Sequence, residues 1–278
     1  MTKKVLVTGS EGYIGKHLCH LLNSRNYEVH KLDKEFDSEH SKNCYELDIR
    51  KPQDIRKTEL PNIEFDAIIH LAALVRVGES VEYPTAYYNT NINGTNWLRN
   101  IVPHKKFIFA STGAASGMAS PYAISKKVAE DMLREQEPDA TIFRFYNVIG
   151  SEGFEPTNPD GLFFNLIKAT ETGKFTIYGD DYNTKDGTCV REYVHVMDIC
   201  RALMKATDTP TIMTVTRNTP LVLSGVVDPV VLQRVVQRFG SAGVDEESAL
   251  SHYPIDSQNG VSSTLFQNRD VVSEDVLN

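Results

Sequence analysis

The sequence predicts an α/β fold, a doubly wound parallel sheet followed by a smaller C-terminal α/β domain. Three observations predict it. Apolar runs alternate with helical stretches through the first half of the 278 residues. The first run, Val5-Leu6-Val7-Thr8, enters three glycines spaced by three, Gly9, Gly12 and Gly15. Near residue 150 the texture changes, and Gly150 to Gly161 is rich in Gly, Pro, Glu and Asn. The expected division is therefore residues 1–150 for the sheet domain and 151–278 for a second, substrate-binding domain.

The glycine run sits between a strand and a helix carrying Ile14, Leu18, Leu21 and Leu22 on one face. That context makes it a dinucleotide-binding turn of Rossmann type. Gly9 allows the tight turn, Gly12 lets a pyrophosphate approach the backbone, and Gly15 lets helix and strand pack closely. The free N–H groups and positive dipole end of the helix then face the phosphates. Asp33 closes a second strand, Val29 to Asp33, where a carboxylate holds both ribose hydroxyls and repels a 2′-phosphate. The expected cofactor is NAD, not NADP.

The remaining strands read as Cys44–Leu47, Phe65–Leu71, Lys106–Ala110 and Thr141–Phe145, with helices around 84–102 and 121–136. Right-handed β-α-β units then cover both faces of the sheet, and ligands lie at the carboxyl ends of its strands. Past the loop, a short helix is expected near 162–172. Another follows Asp228-Pro229, an N-cap and first-position proline, and stops at Gly240.

Composition excludes little else. The net charge of −8 argues against nucleic acid as a partner. No apolar run approaches the roughly 20 residues that span a bilayer. Met1-Thr2-Lys3-Lys4 leads straight into a strand without a leader-like apolar stretch, so a cytoplasmic protein is expected. Cys19, Cys44, Cys189 and Cys200 have no metal or disulfide spacing, and no metal site is expected.

Tyr122-Ala-Ile-Ser-Lys126 carries the chemistry. Residues four apart share a helix face, so the ammonium is expected near the phenol, where it favours phenolate. Ser111-Thr112 ends the preceding strand, where its hydroxyls meet the same substrate oxygen.

With these residues in hand, the chain resembles the extended short-chain dehydrogenase/reductase superfamily and, within it, the UDP-glucose (UDP-galactose) 4-epimerase family. The resemblance runs from residue 3 to about 205 through Val5–Gly15, Leu47–Arg50, Ile69–Ala73, Val77–Val81, Tyr87–Thr95, Ser120–Tyr122, Arg144–Asn147 and Ile177–Tyr182. The run Val190–Asp198 is particularly characteristic. It implies Thr112, Tyr122 and Lys126 as catalytic residues, with Tyr122 taking the proton of the sugar 4-hydroxyl. Lys126 is to hydrogen-bond the nicotinamide ribose. NAD is implied at Gly9, Gly12, Tyr13, Ile14, Gly15, Asp33, Asp48, Ile49, Leu71, Ala72, Ala73, Asn91, Ser111, Tyr122, Lys126 and Tyr146. The UDP-sugar is implied at Thr112, Tyr122, Asn147, Asn165, Tyr178 and Arg191. Arginine suits that place because its planar fork matches phosphate oxygens. The implied reaction withdraws hydride from carbon 4, turns the 4-keto sugar about its diphosphate tether and returns the hydride to the other face. A homodimer joined through the helices around 84–102 and 121–136 is also implied.

The chain departs from that pattern in three places. Gly113 to Ala119 replaces a longer loop before Tyr122. Ser257 to Val261 stands where the family carries a basic loop. The chain also ends at Asn278, where family members usually continue. Related dehydratases and decarboxylases carry a carboxylate directly after the strand-end Ser/Thr, whereas Gly113 and Ala114 follow here. A dinucleotide-binding regulatory protein is the non-enzyme alternative, disfavoured by the intact Thr112, Tyr122 and Lys126. His70 and His195 read as packed structural residues, Trp97 as helix core, and Asp245-Glu246-Glu247 as a solvated face.

Overall fold

The computed structural model describes residues 2–36, 42–176, 181–184, 187–188 and 191–208, together with the backbone of 221–223. The expected helix after Asp228, the run at 245–247, Cys189 and Tyr178 lie outside the described residues.

The chain runs β1 (Lys4–Thr8), α1 (Tyr13–Ser24), β2 (Glu28–Asp33), β3 (Cys44–Glu46), α2 (Pro52–Arg56) and β4 (Ala67–His70). It continues with α3 (Val77–Glu82), α4 (Pro84–Tyr88), α5 (Thr95–Ile101), β5 (Phe107–Thr112), α6 (Pro121–Gln136) and β6 (Thr141–Phe145). Then come β7 (Asn147–Ile149), α7 (Leu162–Thr172), β8 (Tyr193–His195), α8 (Val196–Asp208) and β9 (Leu221–Leu223). Seven parallel strands form one sheet in the order β3-β2-β1-β4-β5-β6-β9. The sheet grows from β1 to β3 on one side and from β4 to β6 on the other, and this switch in strand order between β1 and β4 creates the crevice expected for a Rossmann-type ligand.

Both faces are covered, which is why the central strands read as unbroken apolar runs. Val5, Val7, Ile69, Ile108 and Phe143 meet α1 and α8 through Leu18, Leu22, Ile199 and Leu203. On the opposite face Leu6, Ile68, Phe107 and Phe109 meet Leu98, Ala129 and Leu133. Trp97, expected in the helix core, is instead 36% exposed; its neighbour Leu98 takes the inward position and is fully buried. Successive helical positions point about 100° apart, so one of the pair must face outward.

The long helical stretch at 84–101 contains a π-helical segment, Asn89–Gly94, between α4 and α5. The helix α6 begins where Ser120 accepts a hydrogen bond from Ala123 N and Pro121 takes the first turn. Past Phe145 the chain leaves the sheet. Strands β7 and β8 pair in parallel as a separate two-stranded sheet. It then returns: α8 packs in the same core as α1, and β9 lies beside β6.

Candidate active site

The glycine turn is built as its sequence demands. Gly9 has φ +70°, and a Cβ there would lie 2.7 Å from Ala72 N. A Cβ on Gly15 would lie 2.1 Å from the Gly9 carbonyl oxygen, so helix and strand approach at a distance only glycine permits. Gly12 is the N-cap of α1 and offers no side-chain cap. The first-turn N–H groups of α1 therefore lack the side-chain acceptor that helix starts usually carry. Ser10 Oγ beside them is buried without a partner. At the tip of β2 the Asp33 carboxylate accepts from Glu11 N at 2.9 Å and Lys34 N at 2.7 Å, which ties the second strand to the turn. Uncapped amides, a positive-φ glycine and a strand-end carboxylate fit NAD.

The far wall of this cleft hangs on a buried chain of hydrogen bonds. Ala72 N donates to Thr8 Oγ1 at 3.2 Å, and Thr8 Oγ1 meets His70 Nδ1 at 2.6 Å. His70 Nε2 meets Thr95 Oγ1 at 2.9 Å, and that hydroxyl donates to Asn91 O at 2.7 Å. Since the Thr95 proton is committed to Asn91, His70 carries its proton on Nε2 and accepts at Nδ1. Burial, with the Lys126 charge adding to it, pushes His70 down to about 3, so the ring is neutral. Asn91 then clamps the segment after β4: Leu74 N donates to its Oδ1 at 2.9 Å, and its Nδ2 donates to Leu74 O and Ser125 Oγ. Its place in a π-helical segment accords with the frequent occurrence of such turns at functional sites.

Tyr13 donates its hydroxyl to the Gly150 carbonyl, Ile14 and Leu71 pack on the core, and Asp48 is held by Arg50 at 2.6 Å. Ile49 is 5% exposed and lies under Gly94, so its side chain serves the core. Ala73 is partly buried beside Ala72. Tyr146 lies across Gly113; a Cβ at Gly113 would come within 2.5 Å of its ring, and the shortened loop relies on that bare backbone.

Thr112 and Tyr122 come together. Thr112 Oγ1 accepts from Ala114 N at 3.3 Å, and its hydroxyl is close enough to the Tyr122 phenol to favour the phenol's ionisation. Burial raises the phenol, and the Thr112 hydroxyl opposes that shift. The Lys126 ammonium, expected near the phenol, donates its hydrogen bond to the strand. Lys126 Nζ donates to Ala110 O at 2.8 Å and lies 4.7 Å from the centre of the Phe109 ring. Its ammonium is bonded to the strand, and the group acting on the phenol against its burial is the Thr112 hydroxyl. Burial lowers Lys126 to about 7, and Glu130 opposes the shift. Ser111, expected at the cofactor, donates its hydroxyl to Glu130.

Two of the candidate sugar-nucleotide residues, Asn147 and Asn165, are tied to backbone carbonyls. Asn147 Nδ2 donates to Glu192 O at 2.9 Å. Asn165 Nδ2 donates to Pro159 O at 2.8 Å and Gly161 O at 2.9 Å. Arg191 is exposed and lies 6.0 Å from the Tyr182 ring centre. Among the described residues, no three His, Cys, Asp or Glu side chains are placed to hold a metal ion, and no helix is long and apolar enough to cross a membrane.

Residues 5–215 match the model of the NAD dependent epimerase/dehydratase family. The chain belongs to this family. UDP-glucose 4-epimerase of Haemophilus influenzae is 34% identical, over 73% of this chain and 72% of its own length. That of Bacillus subtilis is 31% identical, over 73% and 72%. Among solved structures, UDP-glucose-4-epimerase of Stenotrophomonas maltophila, with bound NAD and formylated UDP-arabinopyranose, superposes with a TM-score of 0.69 at 25% identity, covering 80% of this chain and 78% of that one. The chain is thus an NAD-dependent, epimerase-like isomerase with the fold of the extended short-chain dehydrogenases. Two residues of the site escaped the sequence reading, Glu130 and Arg144. The signal was present: Tyr122, Lys126 and Glu130 recur every four residues on one face of α6.

Proposed function

We propose that the protein inverts carbon 4 of a UDP-sugar, interconverting UDP-glucose and UDP-galactose through a 4-keto sugar. The observation that carries this reading is the Thr112–Tyr122 hydroxyl pair, with Lys126 one turn further along α6, at the strand ends beside the glycine turn. NAD, when bound, supplies the reversible two-electron oxidation at carbon 4. Tyr122 removes the 4-hydroxyl proton and later returns it. Burial keeps its phenol protonated until Thr112 and the substrate hydroxyl share the charge. Lys126 holds the nicotinamide ribose. Asn147, Asn165, Tyr178 and Arg191 anchor the uridine diphosphate, so that binding remote from carbon 4 retains the loosely held sugar while it turns. Gly113 and Ala114 directly after Thr112 supply no carboxylate for dehydration or decarboxylation. The chain after residue 150 provides the substrate side, apart from α8 and β9, which complete the sheet.

We also read the protein as a cytoplasmic homodimer paired through the helices at 84–101 and 121–136, which expose Trp97 and Val128. The decisive test follows added UDP-galactose by NMR, with Tyr122→Phe as control. Conversion to UDP-glucose that falls at least ~10²-fold in the control is expected. No conversion, from protein that releases NAD on denaturation, would sink the reading.

A further inference from the structure

The charged cluster behind the site holds more than an ion pair needs. Glu130 is fully buried, one helical turn beyond Lys126. Its carboxylate accepts from four donors: Ser111 Oγ, Arg144 Nε at 2.8 Å, Arg144 Nη2 at 2.6 Å and Arg134 Nη2 at 3.2 Å. Arg144 reaches on through Nη1 to Ser116 Oγ at 2.7 Å, in the short helical turn Gly113–Ser116. Glu130 therefore holds side chains on both sides of Thr112, the Ser111 hydroxyl directly and the Ser116 hydroxyl through Arg144. The residue before Ser111 is Ala110, whose carbonyl takes the Lys126 ammonium.

Stability alone does not call for this arrangement, because a buried ion pair is often matched by apolar residues of similar volume. Glu130 also lies one turn from Lys126 on the buried face of α6, and its charge favours the lysine's protonated form. Around Lys126 stand His70 from β4, the Phe109 ring and Ala110 carbonyl from β5, and Tyr122 and Glu130 from its own helix. With His70 neutral and Tyr122 protonated at rest, Glu130 is the negative charge in that set. Arg144 and Arg134 face the carboxylate from its other sides.

We propose that Glu130 is a positioning residue for the Thr112–Tyr122–Lys126 site. It keeps Lys126 charged and, with Arg144, locks the shortened loop that carries Thr112. The kinetic part of this inference rests on the proposed epimerase activity; the electrostatic part does not.

The test uses the full chain labelled with ε-13C lysine, with the Lys126 signal assigned by its loss in Lys126→Met. Glu130→Gln keeps the shape and removes the charge. Lys126 is expected to titrate at least one pH unit lower in it, with kcat down tenfold or more near neutral pH and KM for the UDP-sugar within about twofold. Glu130→Asp is expected to restore the lysine titration. A folded Glu130→Gln that keeps the wild-type titration and kcat overturns the proposal. If Glu130→Gln does not fold, Arg144→Gln decides: Lys126 titrating higher with a lower kcat supports the lock, and wild-type values for both overturn it. A wild-type protein with no epimerase turnover refutes the function while the lysine titration still tests Glu130.

Discussion

Helices α6 and α7 are the two halves of the molecule in miniature. Along α6, Ala123, Ser125, Lys126, Ala129, Glu130 and Leu133 are buried, and its two buried charged side chains, Lys126 and Glu130, are bonded to β5 and β6. Along α7 no residue is fully buried, although Leu162, Phe163, Phe164, Leu166 and Ile167 make it apolar. The cofactor side is fixed by side chains inside the protein. The described part of the substrate side is fixed by side chains holding loop carbonyls at the surface, as Asn147 and Asn165 do. The proposed reaction, which holds one ring rigidly and lets another turn, calls for both textures.

Substitutions sharpen this contrast, and the largest effect belongs to the rigid half. Gly15→Ala drives a methyl into the Gly9 carbonyl and should cost about 3 kcal/mol or more, with loss of retained NAD. Thermal melts with and without NAD check it, and a variant that melts like wild type would show that α1 can retreat. Next comes Lys126→Met. It should cut turnover at least ~10²-fold while leaving the fold as stable or more stable. The sign follows from Lys126 being held near 7 when folded, against 10.5 as its usual value. Between those values the unfolded chain binds the extra proton, so the penalty is full below about pH 7 and is relieved as the pH rises towards 10.5. The melting advantage of the variant should shrink across that window; a constant difference would mean that Lys126 is not buried in its charged form.

Asn165→Ala tests the soft half. Losing two bonds to loop carbonyls should cost about 1–2 kcal/mol and appear in KM for the UDP-sugar with kcat little changed. A fall in kcat at constant KM would erase the distinction between the halves. The smallest effect is expected at Arg76→Ala. Its pair with Asp160 spans from the segment after β4 to the loop before α7, with both side chains about half exposed. Little or no shift in the melting temperature is expected, and less still in high salt. A melting shift that ignores salt would contradict a solvent-screened tie.

The rigid half was also the legible half. Alternation of apolar runs found β1, β2, β4, β5 and β6, and placed a helix around 121–136 where α6 stands, because each rests on local chemistry. The sheet's last described strand, Leu221–Leu223, was not foreseen. Its place is set by pairing with Phe143, Arg144 and Phe145 some 78 residues earlier, and three residues carry no period of their own. Lys126 was placed correctly on the face of Tyr122, but spacing gives direction and not reach, so its bond to Ala110 could not be read. Trp97 was misplaced for a related reason: the helix pattern there admits either Trp97 or Leu98 facing inward, and only the neighbours across the gap decide.

His70 brings one more consequence. An imidazole is a flat ring whose two nitrogens keep a fixed separation, and here each nitrogen touches one threonine on opposite sides of the cleft wall. The ring therefore works as a gauge block between the end of β1 and the 84–101 helix. A flexible amide in its place would let that gap breathe. A ring that stays neutral down to about pH 3 keeps the direction of every bond in the chain unchanged, so the width of the cofactor slot is set by a covalent ring and not by the solution around it.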